Sequence, residues 1–185
     1  MPAFDQLTLS TARLLLRPLR ESDADALMGT YSDPKVMRYW STTPWDSIDQ
    51  AHAMIAREVK GMTAGEQLTL GLERTEDSAL IGTCTLFAIS AQCRRAEVGY
   101  LMASHAWGKA YMDEALRALL NYGFTEMKLN RVEADIDPRN EGSQKTLERL
   151  GFTKEGYLRE RWIVGDEISD TALYGLLHRD WHLRA

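Results

Sequence analysis

The sequence predicts a mixed α/β fold, a mostly antiparallel central sheet of about seven strands with about four helices packed on it. Three observations carry that expectation. Apolar residues alternate at a period of two between Gln67 and Leu72. They recur at spacings of three and four between Ser47 and Met62 and again after Tyr111. The pattern changes at polar clusters and glycines, so that strands and helices follow one another along the whole chain.

Taken in order, Arg13 to Leu19 (RLLLRPL) has the apolar density of a buried strand. A helix follows from Glu21, with Ser22 as N-cap and Asp25 at its third position. A second helix runs from about Ser47 to Met62 and lines one face with Ile48, Ala51, Ile55, Val59 and Met62. From Gln67, Leu68, Leu70 and Leu72 alternate as in a half-buried strand, and the polar segment Glu73 to Ser78 turns it into a partner over Ala79 to Ile89. Arg95 to Met102 is the next strand. After Trp107 a long helix turns Ala115, Leu116, Leu119, Leu120 and Gly123 inward. Arg131 to Ile136 reads as a strand, Glu141 to Leu150 as a helix stopped by Gly151, Phe152 onward as a strand, and Asp170 to Leu177 as the last. The two helical crossovers, after Met102 and after Ile136, are expected to join parallel neighbours, and the other connections antiparallel ones.

The chain has 185 residues, which suits a single domain over 1–185. An apolar fraction of 44% with 26% charged residues is the balance of a soluble globular protein. No stretch is apolar enough to span a bilayer, and Met1 to Ser10 lacks the basic start and apolar run of a secretory signal, so a cytoplasmic location is expected and a membrane partner is not. The formal net charge of -5 argues against a nucleic-acid binder and is compatible with a cationic substrate. Cys84 and Cys93 have no CxxC spacing and read as reduced thiols.

The most informative segment is Glu97-Val-Gly-Tyr-Leu-Met-Ala-Ser-His-Ala-Trp-Gly-Lys-Ala-Tyr-Met-Asp-Glu-Ala115, a strand feeding a short turn at Gly108 and at once a helix. The first N–H groups of a helix have no internal partner and sit at the positive end of its dipole, so such a turn can hold a diphosphate. No Walker A or G-x-G-x-x-G pattern is present. A second element, Asn140-Glu-Gly-Ser143-Gln-Lys-Thr-Leu147-Glu-Arg-Leu150-Gly151-Phe152, is a capped amphipathic helix that places a serine on its apolar face.

The first segment resembles motif A of the GNAT superfamily (Q/R-x-x-G-x-G/A), and WGKAYMDEA is similar to the WGKGYATEA wording of its RimJ/RimL-like ribosomal-protein N-acetyltransferase branch. His105 stands where the family has Gln or Arg, and Ala110 takes the permitted alternative to glycine. The second element resembles the family's N-x-x-S-x-x-x-L-E-(K/R)-x-G-F stretch, and Arg13 to Leu19 and Asp170 to Trp181 add marks at the two ends. The resemblance implies the GNAT fold with a splayed parallel strand pair, and acetyl-CoA as cosubstrate without a metal. It places His105, Trp107, Gly108, Lys109, Ala110 and Tyr111 at the cofactor's phosphates. Asn140 and Ser143 would face the pantetheine arm, with the serine hydroxyl near the sulfur, and a main-chain N–H around Leu101 would serve the oxyanion.

Amine acetylation needs a neutral nitrogen, a polarised carbonyl and a proton for the leaving thiolate. Glu97 is the candidate base, or else an ordinary acid at the start of its strand. Ser143 is the candidate proton donor, or else a helix serine bonded to the carbonyl four residues back, with Tyr157 as an alternate phenol. His178 and His182 stand four apart without a third ligand and read as structural or solvated, and His52 as a surface position. Trp40 and Trp45 either line an acceptor groove or pack in the core. The acceptor preferred by the resemblance is a protein N-terminal α-amine, with a polyamine or aminoglycoside next and a non-catalytic acyl-CoA-binding module as a reading of another class. A homodimer is possible on the same ground.

Overall fold

The computed structural model describes residues 3–181. In chain order its elements are β1 (Leu9–Ser10), β2 (Leu14–Arg17), α1 (Ala24–Tyr31), α2 (Pro34–Met37), α3 (Ile48–Thr63), β3 (Leu68–Arg74), β4 (Leu80–Ser90), β5 (Arg95–Met102), α4 (Tyr111–Thr125), β6 (Arg131–Ile136), α5 (Glu141–Leu150), β7 (Thr153–Val164), β8 (Glu167–Leu177) and α6 (His178–Trp181). The strands form one eight-stranded sheet in the order β1-β2-β3-β4-β5-β6-β8-β7. The mixed α/β fold expected from the sequence is present. Its four longer helices match the four expected, and β1 and the one-turn helices α2 and α6 are additions.

Among the described residues only β5 and β6 pair in parallel. The second crossover does not join neighbours, because β8 inserts between β6 and β7 and pairs antiparallel with both. The β7–β8 hairpin explains this: two long strands joined by the short turn at Gly165 fold back on each other, and the inner one takes the free edge of β6.

Alternate residues of β5 serve opposite faces. Val98 and Met102 enter the core built with α4 and α5, where Leu116, Leu119, Leu120, Leu147 and Leu150 are buried. Leu101 packs on the other side with Leu27, Tyr31 and Ile55 of α1 and α3. Helices therefore cover both faces of β3, whose Leu68 to Leu72 are all buried, so it is not the half-buried strand its alternation suggests. The polar members of the alternation find partners inside: the Thr69 hydroxyl donates to Glu58 at 2.6 Å and meets Thr85 at 2.8 Å.

Recruitment of Glu58 also turns α3. Its buried stripe is Ala51, Met54, Ile55, Glu58 and Met62, while Ile48 and Val59 stay exposed, against the expected face. Its start is as expected, with Ser47 accepting from the Asp49 N–H at 3.2 Å. The start of α1 is different. Glu21–Asp23 is a single 3-10 turn, and the Asp23 carboxylate, not Ser22, organises it by accepting from the Arg20 N–H at 2.7 Å and from Arg17 at 2.8 and 2.9 Å. Burial alone would raise the Asp23 pKa, but those donors hold it below the usual carboxylate range. Arg17 also binds Glu73 at 2.5 Å, which explains an arginine in a strand that is otherwise leucine.

Both cysteines are free, Cys84 buried and Cys93 exposed. Among the described residues no helix is long and apolar enough to cross a membrane. His178 stacks on Phe124 at 5.5 Å between ring centroids, and His182 lies outside the described residues. His52 is exposed and bonded to Glu21.

Candidate active site

The strands β5 and β6 pair only over Arg95–Glu97 and Arg131–Glu133, and beyond Glu97 they part. From Val98 to Met102 one edge of β5 still holds β4 and the other is open. The main chain alternates between the two edges. The Ala103 N–H donates to Ile81 on the β4 side at 2.9 Å, so Leu101, two residues back, also turns to β4, where it is in register with Thr83. Of the main chain around Leu101, it is the groups of its neighbours Tyr100 and Met102 that face the opening. The Met102 carbonyl accepts from the Trp107 indole N–H at 2.8 Å.

Next comes the turn into α4. Gly108 has φ 74° and Ala110 φ 61°, both left-handed, and α4 starts without a side-chain cap. The first helical bond is Glu114 N–H to the Ala110 carbonyl at 3.1 Å, which leaves the earlier N–H groups of the turn outside the helix ladder. A Cβ built on Gly108 would meet nothing within 4 Å, so the main chain is open to approach. His105, Trp107, Lys109 and Ala110 are exposed, and Tyr111 is buried beneath. The residue just before β2 holds the turn. Arg13 donates to the Lys109 carbonyl at 3.0 Å, pairs with Glu114 at 2.7 Å, and stacks over Tyr111 at 4.5 Å. Alternating left-handed residues, free N–H groups and the dipole of a 15-residue helix together make an anion seat that fits a diphosphate.

The facing wall of the opening is α5. The Asn140 side chain caps it, accepting from the Ser143 N–H at 3.1 Å. The Ser143 hydroxyl lies 2.6 Å from the Tyr100 hydroxyl, so its partner is a phenol and not the carbonyl four residues back. Burial pushes the Tyr100 pKa up to about 12, which keeps the phenol protonated. The sequence reading missed Tyr100; its signal was a tyrosine on the core-facing row of β5. Tyr157, the phenol considered instead, is half exposed on the edge strand and donates to Asp170. Across the opening, Arg149 of α5 binds Asp113 of α4 at 2.8 Å and ties the two walls together.

On the other face of the sheet lies a cleft of about 610 Å³. Its floor carries Glu97, Gly99, Asp135 and Ser169, its far wall Trp162, and its roof the segment from Arg38 to Pro44. A smaller hollow of about 220 Å³ shares Trp40, Thr85 and Gly99 with it and reaches Tyr100, so the cleft and the strand opening meet at β5. Trp40 and Trp45 answer both expectations. They line the hollow, and they pack on buried Tyr31, Trp45 stacked at 4.2 Å and Trp40 edge-on at 6.1 Å. Glu97 stands where β5 and β6 begin to part, half-buried and without an ion pair among the described residues. Burial first, and then Glu133, push its pKa up from the ordinary value, against a weaker pull from Arg95.

The acetyltransferase (GNAT) domain family matches residues 13–153. The chain is 37% identical to the N-acetyltransferase p20 of Bacillus licheniformis over 94% of this chain and 98% of that protein. It is 26% identical to the [ribosomal protein uS5]-alanine N-acetyltransferase of Escherichia coli K12, over 95% of this chain and 93% of that one. The crystal structure of spermidine N-acetyltransferase from Vibrio cholerae in complex with CoA and spermine shares the fold, with a TM-score of 0.81 at 23% identity over 93% of this chain and 99% of its own. The chain belongs to the GNAT acetyltransferase family and is an acetyl-CoA-dependent N-acetyltransferase.

Proposed function

We propose that this single domain acts in the cytoplasm and acetylates a protein N-terminal α-amine by direct attack, with Glu97 as base and Ser143 as proton donor. Acetyl-CoA, when bound, supplies an activated thioester. The main-chain groups of Gly108 to Tyr111 would hold its diphosphate, and the open edge of β5 at Tyr100 and Met102 would offer N–H groups to a carbonyl oxygen. With the Tyr100 hydroxyl donating in its 2.6 Å contact with Ser143, the serine's own proton would be free to move to a thiolate. Glu97 takes the proton of the amine, directly or through a water.

The observation that carries the reading is the place of Glu97: a carboxylate of raised pKa, in the cleft, at the point where the strands open. The α-amine is preferred on energetic grounds. At pH 7 deprotonating it costs roughly 1 kcal/mol, whereas a lysine side chain costs roughly 4.6 kcal/mol. The likeness to the uS5-alanine enzyme supports the same acceptor, and the likeness in fold to the spermidine enzyme favours a polyamine as the second reading. Thiol release from acetyl-CoA separates them. Peptides beginning with Ser or Ala should be turned over with a higher kcat/KM than spermidine or an aminoglycoside, and the reverse order would replace the proposed acceptor.

A further inference from the structure

The cleft holds four carboxylates, Glu97, Asp135, Asp137 and Glu167, and three guanidinium groups, Arg38, Arg139 and Arg161. Pairing sorts them. Arg38 and Arg139 bind Glu167 at 3.0 and 2.8 Å, and Arg139 also binds Asp137, so these four charges cancel. What remains is Glu97 and Asp135 against the exposed Arg161, whose guanidinium lies 5.9 Å from the centre of the Trp162 ring.

Asp135 differs from the other acids in how it is held. The Trp162 indole N–H and the Thr171 hydroxyl donate to the same oxygen, Oδ1, at 3.2 and 3.0 Å. Both donors are neutral, and among the described residues Oδ2 takes no hydrogen bond or ion pair from the protein. Thr171 is fully buried, and Trp162 is fixed in the β7–β8 ladder opposite Ser169, so the carboxylate is oriented before anything binds. A charge kept in a cleft by neutral donors, with one oxygen left over, is suited to a positive group brought by a ligand.

The second coordinate is distance. Glu97 is in register with Glu133, and Asp135 follows two residues later on the same face of β6, just past the last paired residues, so strand rise and spacing put their Cα atoms about 8 Å apart or slightly more. We propose that Asp135 is a specificity-determining residue that binds a second cationic nitrogen of the acceptor, about 8 Å from the amine being acetylated. The inference rests on the amine-acetylation reading above and adds the chemistry of the acceptor to it. A lysine or arginine directly after the N-terminal residue of a peptide meets this requirement, and so does a remote nitrogen of a polyamine.

The test measures kcat/KM for two pairs of acceptors with the full chain: peptides beginning Ser-Lys and Ser-norleucine, and spermidine with hexylamine. The readout is the ratio of the charged to the uncharged member. A charge-assisted contact is worth roughly tenfold or more in binding, so the wild-type ratio should exceed ten in at least one pair. Asp135→Asn, which keeps an acceptor oxygen for Trp162 and Thr171, should reduce that ratio at least tenfold. The pair in which it falls identifies a peptide or a polyamine as the source of the cation. Ratios unchanged by the substitution in both pairs would overturn the role of Asp135 and leave the acetylation reading standing. Binding of CoA with turnover of none of the four acceptors would overturn both. If Asp135→Asn fails to fold, Asp135→Ser, which removes the charge and keeps an oxygen that can accept from the buried Thr171 hydroxyl, carries the same comparison.

Discussion

Helix α5 begins with Asn140, whose side-chain oxygen accepts from the Ser143 N–H, whereas α4 begins with Ala110, which has no such oxygen and sits at φ 61°. The two helices flank the opening beyond the β5–β6 pairing, with the last turn of α5 tied to the first turn of α4. One is finished by its own side chain. The other carries a missing cap, worth about 1 kcal/mol, and a non-glycine residue in the left-handed region, worth roughly 1 kcal/mol more. A chain retains such local disadvantages where something else completes the helix, and here the family's cosubstrate carries a diphosphate. The comparison shows that the signature of the anion seat is an unfinished helix start beside a finished one, and not the glycine alone.

Making α4 resemble α5 breaks the contrast with the largest effect. Ala110→Asp places a carboxylate where the diphosphate is proposed to sit, and repulsion of about 4 kcal/mol near a protein surface corresponds to roughly a thousandfold weaker CoA binding. Calorimetric titration checks it, and an unchanged Kd would dissociate the turn from the cofactor. Glu97→Gln acts where β5 and β6 begin to part and should lower kcat about a hundredfold while CoA affinity holds. A base must be deprotonated to work and the pKa of Glu97 is raised, so the wild-type rate should climb with pH through an inflection above the ordinary glutamate value of about 4.3. That limb should vanish in the variant, leaving only the limb of the amine itself.

Smaller effects test the finished wall. Ser143→Ala should reduce kcat about tenfold, more than it weakens CoA binding, and Tyr100→Phe should act in the same direction to a lesser extent. A loss confined to CoA affinity would reduce Ser143 to a contact. Asn140→Ala removes the cap of α5, so the expected result is a loss of about 1 kcal/mol and a melting point lower by roughly 2–4 °C.

Periodicity revealed the parts of the fold that are decided locally. The bounds of β5, β6 and α5, and the inward face of α4, are as the sequence predicts, because each has one apolar side and clear stop signals. The place of β8 was not legible. Which strand takes the free edge of β6 depends on the length of the β7–β8 hairpin, and not on the residues between β6 and β7. The rotation of α3 was hidden for a similar reason, since Glu58 looks like a surface residue until Thr69 and Gln67 arrive beside it.

The site divides along the same line. Gly108, Ala110 and Asn140 show in the sequence because turns and caps are local chemistry. Tyr100 and Asp135 do not, because their roles come from Ser143, Trp162 and Thr171, which other elements deliver.

The bond between the Arg13 N–H and Glu114 spans 101 residues of chain and fixes the first turn of α4 to β2. Closing a loop of that length costs roughly 4 kcal/mol in chain entropy, which a single surface ion pair cannot offset. The anion seat therefore takes its shape only once the intervening strands have assembled. The expected consequence is that secondary structure forms before nucleotide affinity, so the return of CoA binding during refolding should trail the return of the helical signal.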